Sequence, residues 1–356
     1  MIGVRDLFAG VVPDAEIVAL STDPAQTRAT CGVESIPLMS PRRYLTRGSG
    51  YREAFMGADA VLVTGGTPFY DWAHVSRLIH MGLARRGTPL VCFGVGAKRI
   101  DSPHGRWLTR RLLSGALRVS ARDAVSQTRL GGLSGRRVTL TGDSALWMES
   151  SPRSEMKVIR EALDVESGDP MVVISPRALS PLNRVHYHDP VSTPLIASIR
   201  ANLARLADEL INAGYKAVFL PMHKAATDDD LRETRVITGM MRGARVPVSG
   251  PLTPRVTAAF LGSASLVVGL RLHSLILAAR HGVPVVSVGY DEKIRGFMEY
   301  SGVPHCVVEP CDLSGKVFEL LENDQGAGRV LSGSCTVMKA RIRDEAVAVV
   351  ESLGLG

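Results

Sequence analysis

The chain has 356 residues, with 42 Lys and Arg against 35 Asp and Glu, a net charge of +7 and a sequence pI ≈ 9.3. Hydrophobic residues at 45% and charged residues at 22% are globular values, which excludes a disordered chain, a collagen-like repeat and a coiled coil. No stretch reaches the ~18 uncharged apolar residues of a bilayer span, so no transmembrane segment is expected. In chain order, the opening MIGVRDLFAG carries Asp6, lacks the apolar core of a signal peptide, and reads as a helix, Ile2–Val11. A turn at Pro13-Asp14 and a strand at Glu16–Leu20 follow. A doubly wound domain normally opens on a strand whose following loop holds ligand. Here that first strand is read as missing, through a shortened domain or a start set too late. Further strands are expected at Ala60–Thr64, Leu90–Val95, Arg118–Ala121 and Arg137–Leu140. Met148–Asp169, rich in Ser, Pro and charge, reads as a linker and a short helix.

In the second half, strands are expected at Met171–Ser175, Ala217–Leu220, Val246–Val248, Leu266–Gly269 and Val283–Val288. Between them Asn202–Ala213 sets Leu203, Leu206, Leu210 and Ile211 on one helical stripe. Two helices, Gly315–Leu321 and Val337–Leu353, close the chain. This βα alternation predicts an α/β fold of two doubly wound, Rossmann-like domains facing across a cleft. The N-terminal domain is placed at 1–147, the linker and short helix at 148–170, the C-terminal domain at 171–330 and a final helix at 331–356. The five cysteines, Cys31, Cys92, Cys306, Cys311 and Cys335, are odd in number and form no C-x-x-C pair. That argues against a disulfide framework or structural zinc and for a reducing cytoplasm. The mild basic excess suits a small anionic substrate, and 5% aromatic residues argue against nucleic acid as a partner.

In parallel sheets ligands bind outside the carboxyl ends of the strands. Those ends deliver Arg177 after the first strand of the second half, His223 and Lys224 after the second, Arg271, His273 and Ser274 into a helix start, and Asp291 and Lys293 after the last. An arginine fork grips two oxygens at once, and a helix N-terminus offers free N–H groups, so the set describes a site for a small, multiply charged anion. Taken singly, such an arginine is ordinarily a surface ion pair, and His273 is as readily a core histidine beside Leu272, Leu275 and Ile276. Asp228-Asp229-Asp230 reads as the solvated, capped start of a helix, and Cys306 and Cys311 as buried or idle thiols. In the first half Gly65, Gly66 and Asp71 follow a strand, where glycines let backbone N–H groups approach a ligand, or simply make a tight turn. Arg122-Asp123 and Gly142-Asp143-Ser144 are either an ion pair and a helix cap or catalytic groups.

The series GGTPFYD (65–71), FGVGAKRIDSPHGRWLTRRLL (93–113), SARD (120–123), TGDSA (141–145), ISPR (174–177), LPMH (220–223) and VVGLRLHSLILAARHGVPVVSVGYDEKIRGF (267–297) resembles the polysaccharide pyruvyl transferase family. The resemblance implies a GT-B-like fold, a final helix packing back across the domains, and an enzyme that transfers the pyruvyl group of phosphoenolpyruvate onto two hydroxyls of a saccharide. The product is a pyruvate ketal of cell-envelope or exopolysaccharide biosynthesis, and phosphate is released. It further implies no cofactor beyond phosphoenolpyruvate as donor, a saccharide acceptor that is lipid-linked or polymeric, and a cytoplasmic or membrane-peripheral location. The family's donor contacts correspond to Arg177, Arg271, Leu272 and His273. Lys293 would neutralise departing phosphate, His223 or Asp291 would act on an acceptor hydroxyl, and His273 would be the acid or a phosphate ligand. Members usually begin with a strand and a Gly-Asn-x-Gly-Asp-like loop, the segment read above as missing. The competing readings are a GT-B nucleotide-sugar glycosyltransferase and a non-catalytic anion-binding protein.

Overall fold

The computed structural model describes residues 1–38, 51–71, 87–166, 168–182, 190–225, 228–243, 246–249, 252–323 and 326–355. They form two compact units, Met1–Met148 with Val337–Gly356, and Glu149–Thr336.

In unit 1, α1 (Ile2–Val11) buries Ile2, Val4, Leu7 and Phe8 along one side. Phe8 meets Phe93 edge-on, with ring centroids 5.7 Å apart. β1 (Val18–Ser21), α2 (Pro24–Cys31) and β2 (Glu34–Pro37) form a small βαβ unit whose two strands pair in parallel. After α3 (Tyr51–Gly57) come β3 (Val61–Thr64), β4 (Leu90–Val95), α4 (Pro103–Ser114), β5 (Arg118–Ala121), α5 (Ala124–Ser134) and β6 (Thr139–Leu140). The four strands from β3 onward lie parallel in the order β3-β4-β5-β6. All six residues of β4 are buried, as an apolar run covered on both faces requires. A 3-10 turn, Ser144–Trp147, packs on α1.

Unit 2 runs α6 (Arg153–Ala162), β7 (Met171–Ser175), α7 (Thr193–Asn212), β8 (Lys216–Phe219), the antiparallel pair β9 (Lys224–Ala225) and β10 (Asp228–Asp229), α8 (Asp230–Thr238), α9 (Pro254–Leu261), β11 (Leu266–Gly269), α10 (Leu272–Ala279), β12 (Val285–Val288), α11 (Glu292–Tyr300), β13 (Val307–Val308), α12 (Leu313–Glu322) and α13 (Ala327–Leu353). Its main sheet is parallel throughout, in the order β13-β12-β11-β7-β8. Val246–Val248 is not a strand: only Val248 bridges to Phe219, because Pro247 has no N–H to give a ladder. From β7 the chain moves outward to β8, then returns to add β11 on the other side. The order of the strands therefore reverses between β7 and β11, the position at which open α/β sheets bind ligands beyond their carboxyl ends.

α13 starts ten residues before the expected Val337, and from Val337 onward it belongs to unit 1. There it buries Met338, Ile342, Ala346 and Val349, a spacing of one helical face. Its Glu345, almost fully buried, accepts two hydrogen bonds from Arg118, at 3.0 and 2.9 Å. Trp147 donates through Nε1 to the Lys339 carbonyl at 3.1 Å.

Candidate functional site

Ser175 and Gly269 are partners in the β7–β11 ladder, and two residues beyond each stands an arginine. Arg177 and Arg271 thus leave adjacent parallel strands side by side at the point of reversal. Arg271 is the N-cap residue of α10, so the first-turn N–H groups of that helix open beside it.

Arg271 is held by two carboxylates. Nε donates to Asp230 Oδ2 at 2.9 Å, Nη1 to Asp228 Oδ2 at 3.0 Å, and Nη2 to Asp228 Oδ1 and Asp230 Oδ1 at 2.6 Å each. Asp230 also accepts from the backbone N–H groups of Ala178, Met222 and His223, at 3.2, 3.3 and 3.0 Å. One buried carboxylate therefore ties together the ends of β7, β8 and β11. This corrects the reading of Asp228-Asp229-Asp230 as a solvated helix start. Only Asp229 serves as a cap, accepting from Leu231 and Arg232 N–H, while Asp228 and Asp230 are buried against Arg271. The pattern has a simple origin: β10 is extended, so positions 228 and 230 share one face and position 229 turns away.

Arg177 is held similarly. Its Nη1 donates to Tyr290 Oη at 3.1 Å and to Asp291 Oδ2 at 3.2 Å, and its guanidinium carbon lies 5.8 Å from the Tyr290 ring centroid. The Tyr290 hydroxyl donates to the Leu270 carbonyl, and burial pushes its pKa up to about 12, so it stays protonated. Asp291 accepts from Lys293 N–H at 2.9 Å and lies 3.4 Å from Lys293 Nζ. Burial pushes the Asp291 carboxyl upward, but the Lys293 charge, that N–H bond and Arg177 outweigh it, and the pKa falls below its ordinary value. A depressed folded-state pKa stabilises fully above the unfolded value near ~4, and the contribution is lost as pH falls through the folded value. Asp291→Asn is expected to flatten the acid limb of the stability profile below about pH 4, as read by urea midpoints across that range.

The structure thus brings Arg177, Arg271, Leu272, Ser274, Asp291 and Lys293 to one sheet edge. Ser274 is buried and its hydroxyl donates to the Arg271 carbonyl at 2.6 Å, a local cap. His273 is exposed at the start of α10, not a core histidine, and His223 is exposed at the end of β8. The cations at the strand ends are matched by carboxylates, Arg271 by Asp228 and Asp230 and Arg177 by Asp291. Tyr290 and the two buried aspartates were missed as site-builders. The alternation within D-D-D, and a tyrosine beside a strand-end aspartate, were the available signals.

Gly65, Gly66 and Asp71 belong to unit 1. Both glycines take left-handed φ values, 65° and 58°. Asp71 accepts from the N–H groups of Asp101 and Ser102, at 2.8 and 3.3 Å, and so anchors the start of α4. Arg122 is buried and pairs with Asp123 at 3.2 Å and Asp143 at 3.6 Å. Asp123 caps α5 and Asp143 caps the 3-10 turn. Among the described residues no group of three or more His, Cys, Asp or Glu is placed to hold a metal ion, and no helix is long and apolar enough to cross a membrane.

Two Rossmann-like units in one chain, with convergent cations at a strand-order reversal, define a GT-B fold. Solved structures of like fold include the UDP complex of S. aureus MnaA (TM-score 0.70, 13% identity, covering 100% of this chain and 94% of that one). Others are UDP-GlcNAc 2-epimerase from Neisseria meningitidis bound to UDP-GlcNAc (0.62, 14%, 100% and 96%) and a glycosyltransferase from Rickettsia africae (0.61, 9%, 99% and 94%). Residues 1–292 match the sequence profile of polysaccharide pyruvyl transferases, and the chain belongs to that family.

Proposed function

We propose that the chain transfers the pyruvyl group of phosphoenolpyruvate onto two hydroxyls of a saccharide, forming a cyclic ketal and releasing inorganic phosphate. The observation that carries this reading is the pair Arg177 and Arg271, set side by side on adjacent strands beside a helix N-terminus and Lys293. A donor with both a phosphate and a carboxylate can present one anionic group to each arginine, sharing it with the carboxylates that hold the guanidinium groups in place. In the reaction an acid, for which exposed His273 is the candidate, protonates the methylene carbon, and C2 gains oxocarbenium character. One sugar hydroxyl adds at C2 and loses its proton. The second hydroxyl then displaces phosphate at the same carbon, so two C–O bonds form and one breaks. Lys293 would neutralise the departing phosphate, and His223 or Asp291 would take an acceptor proton. The carboxylates on Arg177 and Arg271 fix the direction of the guanidinium groups before ligand arrives, which lowers the ordering cost of binding.

The test is calorimetric titration with phosphoenolpyruvate. The wild type is expected to bind saturably, and His273→Ala, with a thermal melt to show that it is folded, to bind at least about tenfold more weakly. Folded wild type that takes up no phosphoenolpyruvate but binds a UDP-sugar would replace this reading with a nucleotide-sugar donor.

A further inference from the structure

Positive charge is concentrated in one stretch of unit 1. Residues 98–142 contain ten Lys and Arg against two carboxylates, a surplus of eight where the entire chain has seven. The two acids are already engaged, Asp101 with Arg99 and Asp123 with Arg122, and from outside the stretch Glu345 pairs with Arg118 and Asp143 with Arg122, so the uncompensated charge lies chiefly on α4. α4, sequence PHGRWLTRRLLS, has no acidic residue, and neither has α5, which packs beside it.

At ~100° per residue, α4 turns Gly105, Thr109, Leu112 and Leu113 inward and His104, Arg106, Trp107, Arg110 and Arg111 outward. Trp107 sits between Arg110 and Arg111, at i+3 and i+4. It is 59% exposed, and no other aromatic is among the exposed large hydrophobic side chains of the described residues. His104 stacks on it with centroids 6.4 Å apart. Arg136 donates to the Leu113 carbonyl at 3.1 Å, which sets Arg136 and Arg137 at the C-terminal end of the same helix.

We propose that this face of α4 is a docking surface for an anionic bilayer. Trp107 seats at headgroup level, and Arg106, Arg110, Arg111 and Arg137 meet lipid phosphates. A single large amphipathic ring flanked by arginines on an exposed helix face suits a lipid interface. Single-stranded nucleic acid would instead call for several stacking rings along a groove. Docking through α4 is independent of the donor chemistry proposed above.

The experiment is sedimentation with phosphatidylcholine vesicles, plain or containing about 30 mol% phosphatidylglycerol, at low salt and at about 0.5 M NaCl. Wild type is expected to bind only the anionic vesicles and to release at high salt. The triple variant Arg106→Gln, Arg110→Gln, Arg111→Gln is expected to bind on the order of a hundredfold more weakly. Trp107→Ser should also weaken binding and abolish quenching of tryptophan emission by shallow spin-labelled lipid. Unchanged thermal melts show the variants folded, since all four side chains are exposed. Equal binding by wild type and triple variant overturns the proposal, as does absence of vesicle binding. Wild type that ignores vesicles but binds a duplex DNA or RNA probe with steep salt dependence would make the face a nucleic-acid surface instead.

Discussion

Asp230→Ala is expected to destabilise unit 2 by about 3–5 kcal/mol, because it removes one of the two carboxylates that hold the largely buried Arg271 and, with it, the acceptor of three backbone N–H groups. In a unit of this size that is a fall in melting temperature on the order of 10 °C. Asp230 is fully buried and takes two bonds from Arg271 besides those from Ala178, Met222 and His223. Asp229→Ala, one residue away, removes only a helix cap and should cost about 1 kcal/mol. Urea denaturation of the two variants side by side is decisive. Equal losses would mean that the buried network does not hold the strand ends.

The second large effect is expected at Gly3→Ala in unit 1. A Cβ there would lie 1.9 Å from the Ser144 carbonyl oxygen, which is backbone and cannot rotate away. α1 would have to lift from the 3-10 turn, exposing part of Ile2, Val4, Leu7 and Phe8, at a cost of about 3 kcal/mol. Gly10→Ala lies in the same helix with nothing within 4 Å of its Cβ, and should stabilise by up to about 1 kcal/mol. Opposite signs from one substitution type in one helix separate packing from propensity. Melting curves that move in the same direction for both would remove the close approach as the cause.

The buried strands were legible because parallel sheets write most of them as apolar runs, and Arg-Val-Ser-Ala, the exception, is a short extended segment between two helical patterns. Leu90–Val95, Arg118–Ala121, Met171–Ser175 and Leu266–Gly269 were read to the residue. β2 and β13 were not, since Glu-Ser-Ile-Pro is polar and Val307–Val308 is two residues long. The first ten residues of α13, rich in Gly and Ser, hid a helix that tertiary packing supports. At the candidate site, position after a strand was enough to pick out Arg177 and Arg271. Their counter-charges were not legible, because Asp228 and Asp230 lie 43 and 41 positions from Arg271, and pattern within a window does not report such pairing.

The division of unit 1 into Met1–Met148 and Val337–Gly356 has a consequence for biosynthesis. As the chain emerges from the ribosome, the first segment is complete long before the helix that covers it. Until unit 2 has been made, Arg118 lacks Glu345, Trp147 lacks the Lys339 carbonyl, and the apolar seat of Met338 and Ile342 is open to solvent. Unit 2, contiguous in sequence, can close as it is synthesised, whereas unit 1 must wait as an unfinished shape that a chaperone can hold. The order of maturation therefore runs against the order of translation.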